Sequence, residues 1–376
     1  MHVFDFTLAD VDLRARYDAL FESCSTAFIQ QSSYWAEAIQ DLGPDRPILL
    51  LCEEDGVDLG GLPLYLFEGR FGNLINSIPQ PGPLGGVFLR LGLEPPAQER
   101  VYANLIRRAL DIAAQTRAIA LTIITNPFCD DIELYRRYLE PDLTLENFTQ
   151  YIPLEHAFID GEVRMKDAET RKHLRGYLRR ARESELICSD ESSEQDFDRW
   201  YAIHCLRHAE IGAPPLHRQL LDNIRRILAP KGKAQFFLVR QREGIASGAL
   251  LIHHRDVVDL FAMNMDSRYA CYSPNWLNIA ASLRWSHRMQ KRIFNWQSSP
   301  SRVSGVYAFK GRWGSIESSY HFVTKLFVPI AEIRSWGAEA VKEAYRNHYA
   351  APFGIFTEPG RRHFRKQPAN RAPEIK

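Results

Sequence analysis

The sequence predicts a mixed α/β fold with largely antiparallel sheets, repeated in two similar halves. Each half shows the same order of segments: a helix, a glycine-containing β-hairpin, a further strand, a helix and a closing strand. No G-x-G-x-x-G or Walker-type loop follows a predicted strand, which argues against a Rossmann array and against a nucleotide cofactor. A chain of 376 residues is long enough for two domains, each with its own core.

The two predicted hairpins are the main indication of a duplication. Their strands and turns are, in order, 48–52, Asp55-Gly56 and 59–66, then 235–240, Glu243-Gly244 and 246–252. Glycine in a hairpin turn is expected, but a second glycine four residues later, Gly60 and Gly248, is also shared. We interpret this as an internal duplication, with chance similarity between apolar strands as the alternative.

Hydrophobic periodicity predicts helices between and after these hairpins. They span residues 34–42, 97–116, 135–139, 167–184, 196–210, 216–228 and 274–291, and further strands are predicted at 118–124, 293–297 and 320–329. Ser192-x-x-Gln195 has the pattern of a capping box for the 196–210 helix. We therefore expect an N-terminal domain over 1–158, a C-terminal domain over 159–330, and a C-terminal helix with a disordered basic tail over 331–376.

The composition is typical of a globular protein, and the net charge is too small to produce a strong electrostatic field. Hydrophobic residues make up 45% and charged residues 25% of the chain, and the net charge is +1. Six cysteines without C-x-x-C spacing favour reduced thiols over a disulfide framework or structural zinc. No secretory signal and no apolar stretch of about 20 residues is visible. We expect a cytoplasmic protein.

One helix carries a stripe of arginines. The stripe consists of Arg171, Arg175, Arg179 and Arg182, widened by Lys172 and Arg180. Such a stripe is either a solvated face opposite the apolar side or a groove for phosphate groups, which the arginine fork binds in a bidentate manner.

A second group of polar residues lies between 264 and 314. Ser273 is expected to cap the helix that Pro274 begins, which would leave free amides facing a ligand, with Arg268, Tyr272 and Asn275 around them. Ordinary capping is the alternative. Lys310 follows in a glycine-rich segment that we expect to be a loop, where it is either a surface lysine or a fixed cation facing an oxyanion.

Two other chemistries gain little support. His204 and His208 have the spacing of metal ligands, but the glutamate of H-E-x-x-H and a third ligand are missing, so we predict no metal site. No G-x-S-x-G motif, Cys-His motif or carboxylate pair stands out, so covalent catalysis has no support. Direct transfer between two bound substrates needs only positioning and an oxyanion stabiliser.

The order of several short motifs resembles the FemAB-like branch of the GNAT acyltransferase superfamily, which includes CelD-like proteins. The motifs are Phe28 to Trp35, Asn76 to Pro79, Gly85-Gly86, the arginine helix, Ile211 to Pro215, Arg268-Tyr269, Tyr272 to Asn275 and Phe309 to Gly314. Together the motifs cover roughly residues 25 to 328. The resemblance implies tandem GNAT-like domains with donor and acceptor sites in clefts formed with the second domain.

The resemblance also implies roles for individual residues. Lys310 would stabilise the transferred carbonyl, Tyr307 and Phe309 would shape the donor channel, and Arg175 and Arg179 would hold acceptor phosphates. The Q/R-x-x-G-x-G/A loop of CoA-binding members is missing from both halves, and no long helical arm separates them.

The resulting expectation is an acyl or aminoacyl transferase that acts on an amine, or a hydroxyl, of a cell-envelope or polysaccharide precursor. Its donor would be aminoacyl-tRNA or acyl-CoA, with no permanently bound cofactor, and its acceptor a small or a lipid- or nucleotide-linked glycan. The alternatives are an acyl-CoA-dependent N-acetyltransferase and a non-catalytic binding protein of envelope polysaccharide assembly. Nucleic-acid binding by the arginine helix is a weaker alternative.

Overall fold

The structure is a computed structural model that describes residues 1–79, 81–82, 84–159, 161–190, 193–242 and 244–356. The predicted disordered tail from Thr357 onward lies outside these residues. Within them, no helix is long and apolar enough to cross a membrane.

The described residues of the first half form eight strands and four α-helices. In chain order they are β1 (His2–Phe6), α1 (Val11–Ser23), α2 (Ser33–Ile39), β2 (Arg46–Glu54), β3 (Val57–Gly69), β4 (Gly72–Asn76), β5 (Phe88–Leu89), α3 (Pro95–Gln115), β6 (Ala118–Ile124), α4 (Ile132–Leu139), β7 (Leu143–Pro153) and β8 (Phe158–Ile159).

The second half begins with an additional short strand and helix, then repeats this order, and ends with two further helices. Its elements are β9 (Glu162–Val163), α5 (Ala168–Glu183), β10 (Ile187–Ser189), α6 (Glu194–Ile211), α7 (Arg218–Asn223), β11 (Ala234–Gln241), β12 (Gly244–His254), β13 (Val257–Met265), α8 (Pro274–Arg288), β14 (Ile293–Asn295), α9 (Gly305–Arg312), β15 (Ile316–Leu326), α10 (Ile330–Trp336) and α11 (Ala338–Ala344). The predicted C-terminal helix is therefore two short helices, separated by Gly337 at φ +82°.

A single continuous sheet joins the two halves. Its strand order is β1-β2-β3-β4-β6-β15-β7-β14-β13-β12-β11-β10, with β5 paired to β3, and only β8 and β9 form a separate pair among the described strands. Among the described strands, the parallel pairs are β4 with β6 and β13 with β14, and the other pairs are antiparallel. The predicted mixed, largely antiparallel α/β class is confirmed.

The closing strand of each half crosses to the other half. β15 lies between β6 and β7, and β7 pairs with β14. Nine register pairs from Ile316–Tyr151 to Thr324–Leu143 hold the two closing strands together at the centre of the sheet. This exchange makes the halves a continuous structure, and the predicted division at residue 158 stays a prediction.

The two hairpins correspond, but one residue out of the predicted alignment. Gly244 does not form the turn: it is the first residue of β12 and pairs with Gln241, as Val57 pairs with Glu54 in the first hairpin. A bulge follows in each hairpin, so Gly248 corresponds to Gly61 and not to Gly60. Both glycines lie under a helix, because a Cβ atom would approach Tyr17 of α1 within 2.9 Å at Gly61 and Trp200 of α6 within 2.3 Å at Gly248.

Alternating side chains build a core on each face of the sheet. On one face, α1, α2, α6 and α7 share a single core that includes Phe21, Trp35, Trp200 and Leu221. On the other face, α3 covers the first half and α8, with α5, covers the second. The predicted apolar stripe of α3 is buried, namely Val101, Leu105, Ala109, Ile112 and Ala113.

Two local predictions differ from the structure. The capping box of α6 is formed by Ser193 and Asp196, one residue after the predicted pair, because Ser193 Oγ accepts from the Asp196 amide and Asp196 accepts from the Ser193 amide. The predicted helix 216–228 is α7 followed by a π-helical turn, Ile224–Leu228.

Candidate active site at the end of the second parallel strand pair

The parallel pairing of β13 with β14 ends at Asp259 and Asn295. Val257, Val258 and Asp259 pair with Ile293, Phe294 and Asn295, after which β14 stops while β13 continues alongside β12. Neighbouring strands that part in this way leave a crevice at their carboxyl ends, which is the usual place for a ligand in an α/β sheet. The side chains around Asp259 and Asn295 are therefore the first candidates for a site.

Asp259 is a buried carboxyl group at the last register pair. Its side chain accepts hydrogen bonds from Asn295 Nδ2 (2.5 Å) and from Gln30 Nε2 (3.0 Å), which comes from the other half of the chain. Thr149 in turn donates to Asn295 Oδ1 (2.6 Å). Burial raises the pKa of Asp259 to about 7, although its hydrogen-bond donors oppose that rise.

Lys310 is close to this point, but in a helix. The predicted loop is wrong, because Gly305–Arg312 forms α9, which Ser304 caps by accepting from the Tyr307 amide. Lys310 is 5% exposed, and its Nζ donates to the carbonyl oxygens of Gln297 (2.8 Å) and Ser298 (2.9 Å). No carboxylate within the described ranges forms an ion pair with it, and burial lowers its pKa to about 7.

Gln297 connects the two titratable groups. Its backbone has φ +63°, a left-handed conformation that a non-glycine residue adopts at a cost of about 1–3 kcal/mol, often at functional sites. Its carbonyl accepts from Lys310, and its side chain favours the ionised form of Asp259. Gln297 Nε2 and Gln30 Oε1 are buried without a hydrogen-bond partner in the described structure.

An aromatic cluster supports α9 on the opposite side. Phe309 packs 5.3 Å from Trp276, at the start of α8, and 6.3 Å from both Trp296 and Trp313 (ring centroids). Tyr307 points away from this cluster and donates to Glu317, which also pairs with Arg302. The structure therefore packs Phe309, the neighbour of Lys310 in the chain, against the first turn of α8 and leaves Tyr307 at the surface.

The start of α8 differs from the prediction. Ser273 is at the N-cap position, but with φ +58° and ψ +48°, and its side chain makes no capping hydrogen bond. Its amide donates to Ala270 and its carbonyl accepts from the Trp276 amide, while Asn275 accepts from Ser247 Oγ. These bonds occupy the amides of Ser273 and Trp276, two of the groups that we expected to be free for an anionic ligand.

Arg268 and Tyr272 lie in the 3₁₀-helical segment before α8. The side chain of Arg268 is 81% exposed and paired with Asp266 Oδ2 (2.6 Å), and Tyr272 is half-buried against the core around Ala181 and Val239. None of the described contacts of Arg268 and Tyr272 is with Lys310, so the structure does not bring these residues to it.

The comparisons with known proteins agree with this architecture. The family model described as an acetyltransferase (GNAT) domain matches residues 168–296. Residues 168–296 are thus similar to a GNAT acetyltransferase domain. The match runs from α5 to the residue after β14, so it contains Asp259 and Asn295 and ends before Lys310.

Solved structures extend the similarity to both halves. FemX has a TM-score of 0.66 at 14% identity, covering 86% of this chain and 97% of its own. The C-terminal domain of a putative lysylphosphatidylglycerol synthetase from Agrobacterium fabrum has a TM-score of 0.56 at 12% identity (88% and 97% covered). A tandem GNAT protein from the clavulanic acid pathway has a TM-score of 0.51 at 11% identity (87% and 99% covered).

These neighbours show a tandem GNAT fold, as the sequence predicted. A search of curated proteins found no match.

The first half of the tandem GNAT fold has a different arrangement at the equivalent point. The parallel pair β4 and β6 ends at Asn76 and Thr122. There the backbone of Tyr349 is bound: Asn76 accepts from its amide (2.8 Å), and both Asn76 Nδ2 and Thr122 Oγ1 donate to its carbonyl (3.1 Å each). The C-terminal segment therefore fills the first crevice, which leaves the GNAT domain of the second half as the candidate site.

The arginine stripe lies on the outer helix of the GNAT domain. Arg175 pairs with Glu162 (2.9 Å) and Arg179 with Glu183 (3.7 Å), and all four side chains are more than 60% exposed. Arg175 and Arg179 line a shallow cavity of about 180 Å³ together with Arg171, Arg182 and Arg284. Among the described residues that line this cavity, Glu162 is the one carboxylate. The helix touches the aromatic cluster through Tyr177, which stacks on Trp276 at 4.7 Å.

The histidine pair has structural roles. His204 Nε2 accepts from the Leu216 amide (2.9 Å), so Nδ1 carries the ring proton, and it lies 2.7 Å from the side-chain amide of Asn264. Burial lowers the pKa of His204 to about 4, so it is neutral. His208 Nδ1 bonds the Pro214 carbonyl (2.8 Å). Both ring nitrogens of His204 are therefore occupied.

Sequence reasoning missed Asp259, Asn295 and Gln297. In the sequence, Asp259 is the single charged residue of the segment that forms β13, and its partners are more than 30 positions away. A carboxylate inside a predicted buried strand was the one available signal, because such a group needs partners.

Proposed function

We propose that this protein is an acyl or aminoacyl transferase of the FemAB-like type, which moves an activated acyl group onto an amine, or less readily a hydroxyl, of a cell-envelope or polysaccharide precursor. The observation that carries the proposal is Lys310, a buried cation beside the end of the β13–β14 pair without a carboxylate partner among the described residues. An ammonium group has three N–H donors. Two of them bind carbonyls, so one is left for a ligand.

The chemistry follows from this third donor. When an amine attacks an ester or thioester carbonyl, negative charge develops on the carbonyl oxygen, and a preorganised cation stabilises it most effectively where water is excluded. The carbonyls of Gln297 and Ser298 fix Lys310 before substrate binds. Asp259 acts as a positioning residue in this proposal, because it holds Gln30 and Asn295 and contacts the Gln297 side chain.

The nature of the donor is the finer part of the proposal. An aminoacyl ester, as on tRNA, is supported by the resemblance of the Phe309-Lys310 segment and by the start of α8, where local bonds occupy the amides of Ser273 and Trp276, two of the donors that a CoA pyrophosphate could use. A neighbour whose name is lysylphosphatidylglycerol synthetase fits aminoacyl transfer and an envelope acceptor.

Acetyl-CoA is the second candidate donor. It is favoured by one observation, the match of residues 168–296 to a family described as acetyltransferases. Thermal shifts with acetyl-CoA and with alanyl-tRNA distinguish the two donors, because a ligand that binds the native state raises its stability by mass action.

The decisive experiment compares turnover by the wild type with turnover by a variant that lacks the Lys310 ammonium group. Labelled alanyl-tRNA and acetyl-CoA are offered with a panel of amine-bearing nucleotide sugars, and product formation is followed for the wild type, Lys310→Ala and Lys342→Ala. Removing one oxyanion donor costs about 10²–10³-fold in rate. We expect that loss for Lys310→Ala and none for Lys342→Ala, an exposed lysine on α11. Equal turnover by Lys310→Ala would exclude the proposed mechanism.

A further inference from the structure

The two carbonyl groups that hold Lys310 lie in a segment without regular structure. Residues 296–304 connect β14 to α9, and the first four of them belong to no helix or strand. A ladder of backbone hydrogen bonds therefore does not fix the carbonyls of Gln297 and Ser298. Their positions depend on the individual bonds that this segment makes with its neighbours.

Gln150 of β7 bonds the segment on both sides of the carbonyl pair. Its backbone carbonyl accepts from the Trp296 amide (2.8 Å), and its side-chain Oε1 accepts from Ser299 Oγ (2.8 Å). The first of these partners directly precedes Gln297, and the second directly follows Ser298. A single residue thus fixes both ends of the short stretch from which the ammonium group takes its two acceptors.

The same side chain also bonds the helix that carries the lysine. Gln150 Nε2 donates to the Tyr307 carbonyl (3.2 Å), three residues before Lys310 in α9. The Tyr307 carbonyl can only accept, and the Ser299 hydroxyl donates to Oε1, so one orientation of the side-chain amide satisfies both partners. An ionised glutamate at this position would have acceptors only. Gln150 therefore bonds each of the two pieces that meet at the ammonium group.

The strand on which Gln150 lies is itself held on both sides. β7 lies between β15 and β14, and Gln150 is paired with Glu317 of β15 and is 2% exposed. A side chain on a rigid central strand is a more exact support than one on a loop. Since β7 is the closing strand of the first half, this support reaches Lys310 from the other half of the chain.

We propose that Gln150 is a positioning residue for Lys310, because it fixes the two carbonyls that bind the ammonium group relative to α9. The consequence for acyl transfer rests on the proposed function, whereas the effect on the lysine does not. The second half then depends on a strand of the first half for the geometry of its site, which gives the exchange of closing strands a functional role.

The test follows the protonation of Lys310 in the full chain by ¹³C NMR of labelled lysine side chains, with Lys310→Met to assign the signal. Gln150→Met keeps the length of the side chain but removes its donor and its acceptor. We expect the segment to loosen and water to reach the ammonium group, so that the pKa of Lys310 rises from about 7 by about one pH unit. Ser299→Ala removes only one of the bonds and should give a smaller rise.

Asn223→Leu is the control for a general loss of stability. It also removes a buried side-chain amide that donates to a backbone carbonyl, that of Ala38, but it lies on α7, in the core on the other face of the sheet. The pKa of Lys310 should not change in this variant. The inference would be overturned by an unchanged pKa in both Gln150→Met and Ser299→Ala, or by an equal rise in the control.

Turnover gives a second readout. In the assay described for Lys310→Ala, Gln150→Met should lower kcat about tenfold to a hundredfold with little change in KM, because a displaced cation stabilises the transition state less. A raised KM at an unchanged kcat would contradict the positioning role. Since the NMR measurement needs no turnover, its failure is separate from that of the proposed function.

Discussion

The ammonium of Lys310 lies 2.8 Å from the carbonyl oxygen of Gln297, a residue whose backbone is held at φ +63°. A strained residue thus presents its carbonyl to a buried cation at the point where β14 has just ended. This relationship joins the closing segment of the sheet to α9, and it makes the protonation of Lys310 part of the stability of the fold.

Stability should therefore depend on pH through Lys310. Burial lowers its pKa from 10.5 to about 7, so between these values the unfolded chain binds more protons and the free energy of unfolding rises with pH. Relative to Lys310→Met, the wild type should gain about 2 kcal/mol between pH 7 and 9, measured by urea unfolding. Lys342→Met is the control, and an equal trend in both variants would contradict the assignment. Any rate that needs the cation should fall as pH rises above 7.

Through Asp259, the free energy of unfolding should change with pH in the opposite direction. Burial raises its pKa from 3.8 to about 7, so the folded chain binds more protons between these values, and the stability from this group is lost as pH rises towards 7. The wild type should lose about 2 kcal/mol relative to Asp259→Asn between pH 5 and 7, again by urea unfolding. Asp12→Asn, at an exposed position on α1, controls for general charge effects. A constant difference across this range would mean that the carboxyl is ionised throughout.

The strain at Gln297 can be measured by comparing two truncations. Gln297→Ala and Gln297→Gly both remove the side chain, but only glycine tolerates φ +63° without steric cost. We expect the glycine variant to be more stable than the alanine variant by about 1 kcal/mol. Equal stability, or a more stable alanine variant, would show that the backbone is not strained there.

The C-terminal segment should depend on Asn76. Its side chain bonds both the amide and the carbonyl of Tyr349, so Asn76→Ala should remove two hydrogen bonds to this backbone and cost about 1–3 kcal/mol. The same variant should expose the segment around Tyr349 to limited proteolysis. Asn104→Ala, which removes only a bond within α3 and a contact to Met1, serves as control. Unchanged protease resistance would exclude the role given to Asn76.

Local sequence patterns predicted much of the secondary structure and part of the site. The apolar stripe of α3 follows helical spacing, and the two hairpins alternate as half-buried strands do. Lys310 could be found because it lies in a recognisable segment after Phe309, although its helix was mistaken for a loop. The glycines at 305 and 311 suggested a loop, but Ser304 caps the helix.

The strand order across the two halves and the environment of Asp259 depend on the tertiary structure. The sequence by itself determined two similar halves, because repeated hydrophobic patterns are local. It could not determine that β7 and β15 exchange places, since strand pairing depends on the whole sheet. Nor could it identify Asp259, whose altered pKa arises from burial beside Gln30 and Asn295, residues brought together only when the halves fold onto each other.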